Sequence, residues 1–230
     1  MDCMEGMKHF PDKYFDLAIV DPPYGVDVAN REHSGYGDCY DKRNGKNVLI
    51  KQKRRKWVKK NWDKSIPSQE YFNELRKVAK VQIIWGINYF TSVIPDFPSG
   101  RLVWCKAPIL KKNYELAGIS NKKGVAYFEF LWNGILQGKS LKEGNVMIGD
   151  TSKYENRIHP TQKPIALYKW LLMNYAKPDF KILDTHAGSC SSVIAFLDFG
   201  CDWIAFELDK DYYEAASKRI ENHKLQLKLF

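Results

Sequence analysis

The sequence predicts an α/β domain with a mostly parallel central sheet. Three observations carry that reading. Short apolar runs end abruptly at an acid, a small polar residue or a glycine ("DLAIV" before Asp21, "VQIIWG" to Gly86, "KILDT" over 181–185), which suits strands buried on both faces. Segments with apolar residues at helical spacing lie between them. The two kinds of segment alternate repeatedly, as crossover connections in a parallel sheet require.

Taken in order, the first strand spans 16–20 and leaves the sheet at Asp21-Pro22-Pro23, since proline cannot donate to a ladder. Residues 25–66 lack sustained periodicity and read as a long loop with one helical turn, a length that is usually functional or disordered. Ser68 is placed to cap a helix running to about Lys80, with Tyr71, Phe72, Leu75 and Val78 on one face. Strands are expected at 81–86 and 101–105, then a polar, loop-like stretch at 107–124 and an alternating strand at 125–132. Residues 138–157 are again polar and irregular. Pro164 can open a helix to about Ala176. A strand at 181–185, a helix ended by Gly200, a strand in "CDWIAFELD" and an amphipathic helix from Asp209 to about Leu225 complete the chain.

A length of 230 residues suits one domain, and 44% hydrophobic with 14% aromatic residues can fill its core. No run approaches the roughly 18 apolar residues of a membrane helix. Met1 to Lys13 shows no signal-peptide pattern, so the chain reads as soluble and cytoplasmic, of bacterial or phage origin. The five cysteines (Cys3, Cys39, Cys105, Cys190, Cys201) form no C-x-x-C pair and do not join histidines at ligand spacing. Reduced thiols and no metal are expected. The formal charge is +9, and residues 27–62, with 11 Lys/Arg against 4 Asp/Glu, hold +7 of it. A basic segment in a near-neutral chain suits a polyanion partner. A solvated loop with no partner is the alternative that charge alone leaves open.

Two motifs carry chemistry. In "ILDTHAGSCSSVIAFLDFGCDWIAFELD" a strand ends in an acid, a small-residue turn follows, and a second strand ends in Glu207, 19 residues beyond Gly188. This is the layout of a nucleoside-binding unit in which the acid can accept from ribose hydroxyls, although it is not a G-x-G-x-x-G. Asp21-Pro22-Pro23-Tyr24 is sharper. The prolines hold the chain extended. Asp21 and the Pro22 carbonyl then form two acceptors beside the Tyr24 ring, which suits an exocyclic amine on a stacked base. A rigid strand exit with a surface tyrosine is the bland alternative.

These residues, followed in order by "IIWGINYF" (83–90), "HPTQKP" (159–164), "ILDTHAGS" (182–189) and "FELD" (206–209), resemble an amino-group DNA methyltransferase of the β arrangement. In that circularly permuted order the catalytic half precedes the cofactor half. The likeness is greatest to phage-type, orphan N6-adenine methyltransferases and covers nearly the whole chain. It implies a Rossmann-like S-adenosylmethionine-dependent methyltransferase fold with basic loop insertions, and a base flipped out of DNA as substrate.

The resemblance assigns Asp21, Pro22, Pro23 and Tyr24 to catalysis. It assigns Asp184, Thr185, His186, Gly188, Ser189 and Glu207 to the cofactor. His159, Thr161, Lys163 and Pro164 complete that pocket, with Thr161 and Lys163 at the amino-acid end. Asp2 would face the adenine of the cofactor, although the chain starts almost on it and a leading strand is short or missing. The loop departs from the usual D-P-F-x-G-S-G-T-T at Thr185, His186 and Cys190, and Cys190 stands where a second glycine would allow close backbone approach.

The organisation implied is a single domain over 1–230. A catalytic half (1–106) carries the basic loop at 27–66, a DNA-recognition insertion spans 107–157, and the cofactor half covers 158–230. Lys51, Lys53, Arg54, Arg55, Lys56, Lys59 and Lys60 would neutralise phosphates. Relatives of this arrangement often dimerise, though no interface is marked in the sequence. Two alternatives remain: cytosine-N4 methylation, where only Asp rather than Ser before Pro-Pro tilts towards adenine, and a catalytically weak cofactor- or DNA-binding phage protein.

Overall fold

Alternation along the first strand sets up the layers. In β1 (Phe15–Val20), Leu17 and Ile19 enter one core while Ala18 and Val20 enter the other, none more than 1% exposed. Full burial of each larger aliphatic side chain is worth roughly 1.5–3 kcal/mol. The structure, a computed structural model, describes residues 1–27, 39–43, 46–50, 58–106, 113–133 and 136–227, the pair 39–43 and 46–50 by backbone alone. The expectations for Lys51, Lys53, Arg54, Arg55 and Lys56 lie outside the described residues.

In chain order the elements are α1 (Cys3–Met7), β1, β2 (Cys39–Arg43), β3 (Lys46–Ile50), α2 (Gln69–Val78), β4 (Ala79–Trp85), β5 (Gly100–Cys105) and β6 (Tyr114–Ile119). Then come β7 (Val125–Glu129), β8 (Trp132–Asn133), β9 (Leu136–Ser140), β10 (Gly144–Met147), α3 (Ile165–Tyr175), β11 (Lys181–Asp184), α4 (Ser191–Phe199), β12 (Asp202–Ala205) and α5 (Lys210–Leu227). The central sheet runs β12-β11-β1-β4-β6-β5-β7. Neighbours pair in parallel except around β6, which is antiparallel to both β4 and β5. The expected mostly parallel α/β sheet is therefore present. Tyr71, Phe72, Leu75 and Val78 of α2 cover one face, and Leu167, Leu171, Val193 and Phe196 of α3 and α4 cover the other.

The chain leaves β1 through α2 to β4 on one side, and leaves β11 through α4 to β12 on the other. Between β1 and β11 the direction of winding reverses, and the crevice outside the carboxyl ends of such strands is where α/β sheets bind ligands.

Three expectations need correction. Residues 107–124 are not all loop: β6 sits inside the central sheet, and its one acid at Glu115 is tolerated because lysines pair with it. Residues 138–157 are not irregular throughout, since β9 and β10 join β8 in a small antiparallel sheet. The long loop contains the β2–β3 hairpin, whose backbone ladder forms despite a charged sequence. Among the described residues of the stretch expected as a recognition insertion, β6 and β7 lie in the main sheet and β8–β10 in the small one. Ser68 occupies the expected N-cap of α2, yet its side chain makes no capping bond.

Candidate active site

The crevice holds two cavities that share a wall. One, of about 700 Å³, is lined by Asp2, Thr185, His186, Gly188, Ser189 and Glu207 together with His159, Thr161 and Lys163. The second, of about 550 Å³, is lined by Asp21, Pro22, Pro23 and Tyr24 with Tyr89, Glu115 and Trp132. Asp21, Pro23, Trp62, Thr161, Gln162 and Lys163 line both. Sequence-distant motifs thus meet at one carboxylate, Asp21.

The loop after β11 builds the first cavity. Gly188 adopts φ 51, a left-handed conformation glycine takes without strain, and its N–H donates to Glu207 Oε2 at 2.7 Å. A Cβ there would meet the His159 ring at 3.7 Å, an ordinary van der Waals contact, so it is the left-handed backbone and not crowding that favours glycine. Glu207 Oε1 accepts from Asp209 N–H, and burial pushes its carboxyl up. Asp2 caps α1 by accepting from the Met4 and Glu5 N–H groups. Ser189 is buried beside Ser191, with hydroxyls 3.2 Å apart.

Both histidines are neutral. Burial, aided by the charge of Lys163, lowers His159 to about 3, and burial lowers His186 to about 4. Thr161 N–H donates to His159 Nδ1, and the imidazole packs edge-on against Tyr212 at 4.2 Å and beside Trp62. It shapes the pocket and is no general base at neutral pH. Thr185 Oγ1 lies between Tyr71 Oη (2.6 Å) and His186 Nδ1 (2.9 Å).

Two of the expected cofactor residues stand behind this wall. Asp184 is 2% exposed, accepting from Ser192 Oγ and from His186 N–H. Burial raises its carboxyl to about 7 against the pull of those donors. Those two bonds tie the turn after β11 to the start of α4. Pro164 is the N-cap residue of α3, where its missing N–H costs nothing. Cys190 is the N-cap of α4 at φ 55, the left-handed conformation a glycine would favour. Burial, with Asp184 and Glu207 nearby, raises its thiol to about 12, so it is a packing residue and not a thiolate.

The second cavity is fixed by side chains from across the fold. Asp63 accepts from the Tyr24 and Gly25 N–H groups and holds the turn after the prolines. Tyr24 Oη donates to Asp21 Oδ1 at 2.6 Å, and burial raises the phenol well above its usual range, so it keeps its proton. Gly86, at φ 70, leaves room for that ring, because a Cβ would fall 2.2 Å from Tyr24 Cε1. Tyr89, 43% exposed, stacks on Tyr24 at 4.9 Å and 12°.

Lys163, expected at the amino-acid end of the cofactor, lines both cavities. Its Nζ donates to Asp21 Oδ2 at 2.5 Å and to Tyr24 Oη at 3.2 Å, and it meets Glu115 Oε2 at 3.2 Å. Lys60, expected on DNA phosphates, instead pairs with Asp209 and Asp211 at the rim of the first cavity, while Lys59 is exposed. Sequence reasoning missed Asp63, Tyr89 and Glu115. The signal for Glu115 was a lone acid in the apolar run "YELAGI". Among the described residues no cluster of potential metal ligands occurs, and no helix is long and apolar enough to cross a membrane.

The first cavity's wall carries five carboxylates (Asp2, Asp21, Glu207, Asp209, Asp211) against three lysines. Acceptors in excess, with bare backbone at Gly188, fit a cationic ligand bearing sugar hydroxyls.

Comparison with known proteins agrees. Methylase YubD of Escherichia coli (strain K12), whose methylase designation is provisional, is 27% identical over 226 residues, covering 95% of this chain and 87% of that protein. The type II methyltransferase M.HinfI of Haemophilus influenzae is 24% identical over 250 residues, covering 97% and 67%. The fold is similar to that of M1.HpyAVI in complex with S-adenosylmethionine (TM-score 0.51, 18% identity, 96% of each chain). It is also similar to the cytosine-N4-specific PvuII DNA methyltransferase (TM-score 0.56, 12% identity, 95% and 84%). Residues 46–218 match the DNA methylase family of N6- and N4-methylating enzymes. The chain belongs to that N6/N4 DNA methylase family, whose members draw their methyl group from S-adenosylmethionine.

Proposed function

We propose that the chain methylates adenine at N6 in a short DNA site, with the motif order of the β arrangement. The observation that supports this most is the position of Asp21 in the wall common to both cavities. When bound, S-adenosylmethionine supplies an activated methyl group, held by Glu207, the Gly188 backbone, Thr185, His186, Ser189, Asp2 and Thr161. The remaining work belongs to the chain's own groups. An adenine amine is a poor nucleophile because its lone pair is conjugated into the ring. Hydrogen bonds from its two N–H groups to Asp21 and the Pro22 carbonyl favour a pyramidal nitrogen whose lone pair is free to attack. Positioning lowers the barrier, and the Asp21 carboxylate stabilises the positive charge that grows on nitrogen. No covalent enzyme intermediate is required, consistent with a Cys190 thiol that stays protonated. An acid before Pro-Pro, where serine would favour cytosine, supports adenine. The basic residues Lys51, Lys53, Arg54, Arg55, Lys56 and Lys59 meet DNA phosphates in this reading.

Single-molecule sequencing of DNA from cells expressing the chain tests the proposal. N6-methyladenine at a fixed site is the expected result, and N4-methylcytosine would replace adenine as the substrate. Asp21→Ala should lower transfer of labelled methyl to DNA by about a hundredfold or more. Cofactor binding by calorimetry should persist in that variant. Wild-type cofactor binding with no methyl transfer would turn the assignment to a non-catalytic binding protein.

A further inference from the structure

The charges at the junction extend beyond the groups that would hold the amine. Because β6 alone runs antiparallel, its first residues stand where β4 and β5 end, with Glu115 opposite Trp104 and the Leu116 carbonyl accepting from Gly86 N–H. Glu115 therefore reaches the shared wall from across the sheet. Its Oε2 meets Lys163 at 3.2 Å, and its Oε1 accepts from Lys106 Nζ at 2.5 Å. Lys163 is only 4% exposed, with the Trp85 and Tyr24 rings 5.4 and 5.6 Å from its Nζ.

A buried lysine bonded to Asp21 alone would cancel the negative charge that faces the target amine. Methyl transfer makes that amine cationic, so such a lysine would oppose the reaction. Shared between two carboxylates, Lys163 leaves the trio Asp21, Lys163 and Glu115 with one net negative charge. We propose that Glu115 is a positioning residue for methyl transfer: by binding Lys163 it preserves the negative field of Asp21 at the reacting nitrogen. Burial alone would raise the Glu115 carboxyl, but Lys163 and Lys106 outweigh it and hold the group down at about 2. Burial would likewise discharge Lys163, and Asp21 with Glu115 keep it charged. The second lysine, Lys106, lies on the far side of Glu115 from Asp21 in this chain of contacts and anchors the acid.

The inference rests on the methyltransferase reading above. Its test measures kcat for methyl transfer, cofactor affinity by calorimetry and urea unfolding in Glu115→Gln, Glu115→Asp, Lys163→Met and the Glu115→Gln/Lys163→Met double variant. Glu115→Gln should lower kcat by about tenfold or more while cofactor Kd stays within about twofold. Glu115→Asp should retain most of the rate. The double variant should turn over faster than Glu115→Gln, since removing the unshared cation restores the field, and its loss of stability should be smaller than the sum of the single losses. Wild-type kcat in Glu115→Gln overturns the proposal, as does cofactor affinity falling in step with rate or a double variant no faster than the single. A wild-type chain that methylates no DNA overturns the function itself; an active wild type with an unaffected Glu115→Gln overturns only the role of Glu115.

Discussion

The two cavities that meet at Asp21 are built by opposite means. Half of the first cavity's wall, the side proposed for the cofactor, comes from two short segments between the end of β11 and the start of α5, and the wall relies on backbone N–H groups, neutral imidazoles and carboxylates. The second cavity, the side proposed for the base, is assembled from the segments after β1 and β4, from β5 and β6 and from residues 160–163, and is pinned by charges, with Lys163 and Asp21 separated by 142 residues in sequence. Much of a ligand-holding pocket can thus be written locally. A reacting pocket, where charge has to be placed against a developing cation, draws on residues that only the finished fold brings together.

The largest expected effects sharpen this contrast through pH. Asp184 binds its proton more tightly folded (about 7) than at its ordinary value of 3.8, so its contribution to stability falls as pH rises between those values. Asp184→Asn should therefore gain on the wild type across that window, by up to about 4 kcal/mol. His186 is displaced the other way, from 6.5 to about 4, and its contribution is lost as pH falls through that window. His186→Gln should lose less stability on acidification from pH 6.5 to 4, by up to about 3 kcal/mol. Urea denaturation at several pH values reads both, and parallel profiles for wild type and variants would break the account of the cofactor side.

Next in size is a separation of binding from rate. Glu207→Ala removes the acceptor for Gly188 and Asp209 N–H, so cofactor affinity measured by calorimetry should drop roughly a hundredfold. If the loss instead appeared in kcat at saturating cofactor, the division of labour between the cavities would be wrong. Neutralising Lys53, Arg54 and Arg55 should reduce the slope of log affinity for DNA against log salt by about 3. Lys60→Ala should leave that slope nearly unchanged, because Lys60 is already paired with Asp209 and Asp211. The smallest effect is expected at Cys190. Glycine would relieve the left-handed backbone but forfeit a buried side chain, so Cys190→Gly should stay within about 1 kcal/mol of wild type in thermal unfolding.

How much was legible follows the same division. "DLAIV", "VQIIWG" and "KILD" read as strands because burial on both faces demands continuous apolar runs, and the turn at Gly188 with its distant acid Glu207 is a local signature. The strand β6 escaped because its acid is solvated by lysines 9 and 48 residues away, contacts with no trace in local pattern. The β2–β3 and β9–β10 pairs escaped because charged and glycine-bearing strands rely on backbone ladders, not on apolar alternation. Lys163 was legible as a residue of the cavity walls, but its bond to Asp21 was not, since the motif around it carries no information about Asp21.

Trp62, Thr161, Gln162 and Lys163 belong to the walls of both cavities. A ligand that shifts any of these side chains alters the free energy of filling the neighbouring space. Thermodynamic linkage then makes the influence mutual: whatever factor the cofactor lends to capture of the base, the base returns to retention of the cofactor. A partition made of shared side chains is thereby also a coupling device, and the affinity measured for either ligand depends on whether the other is present.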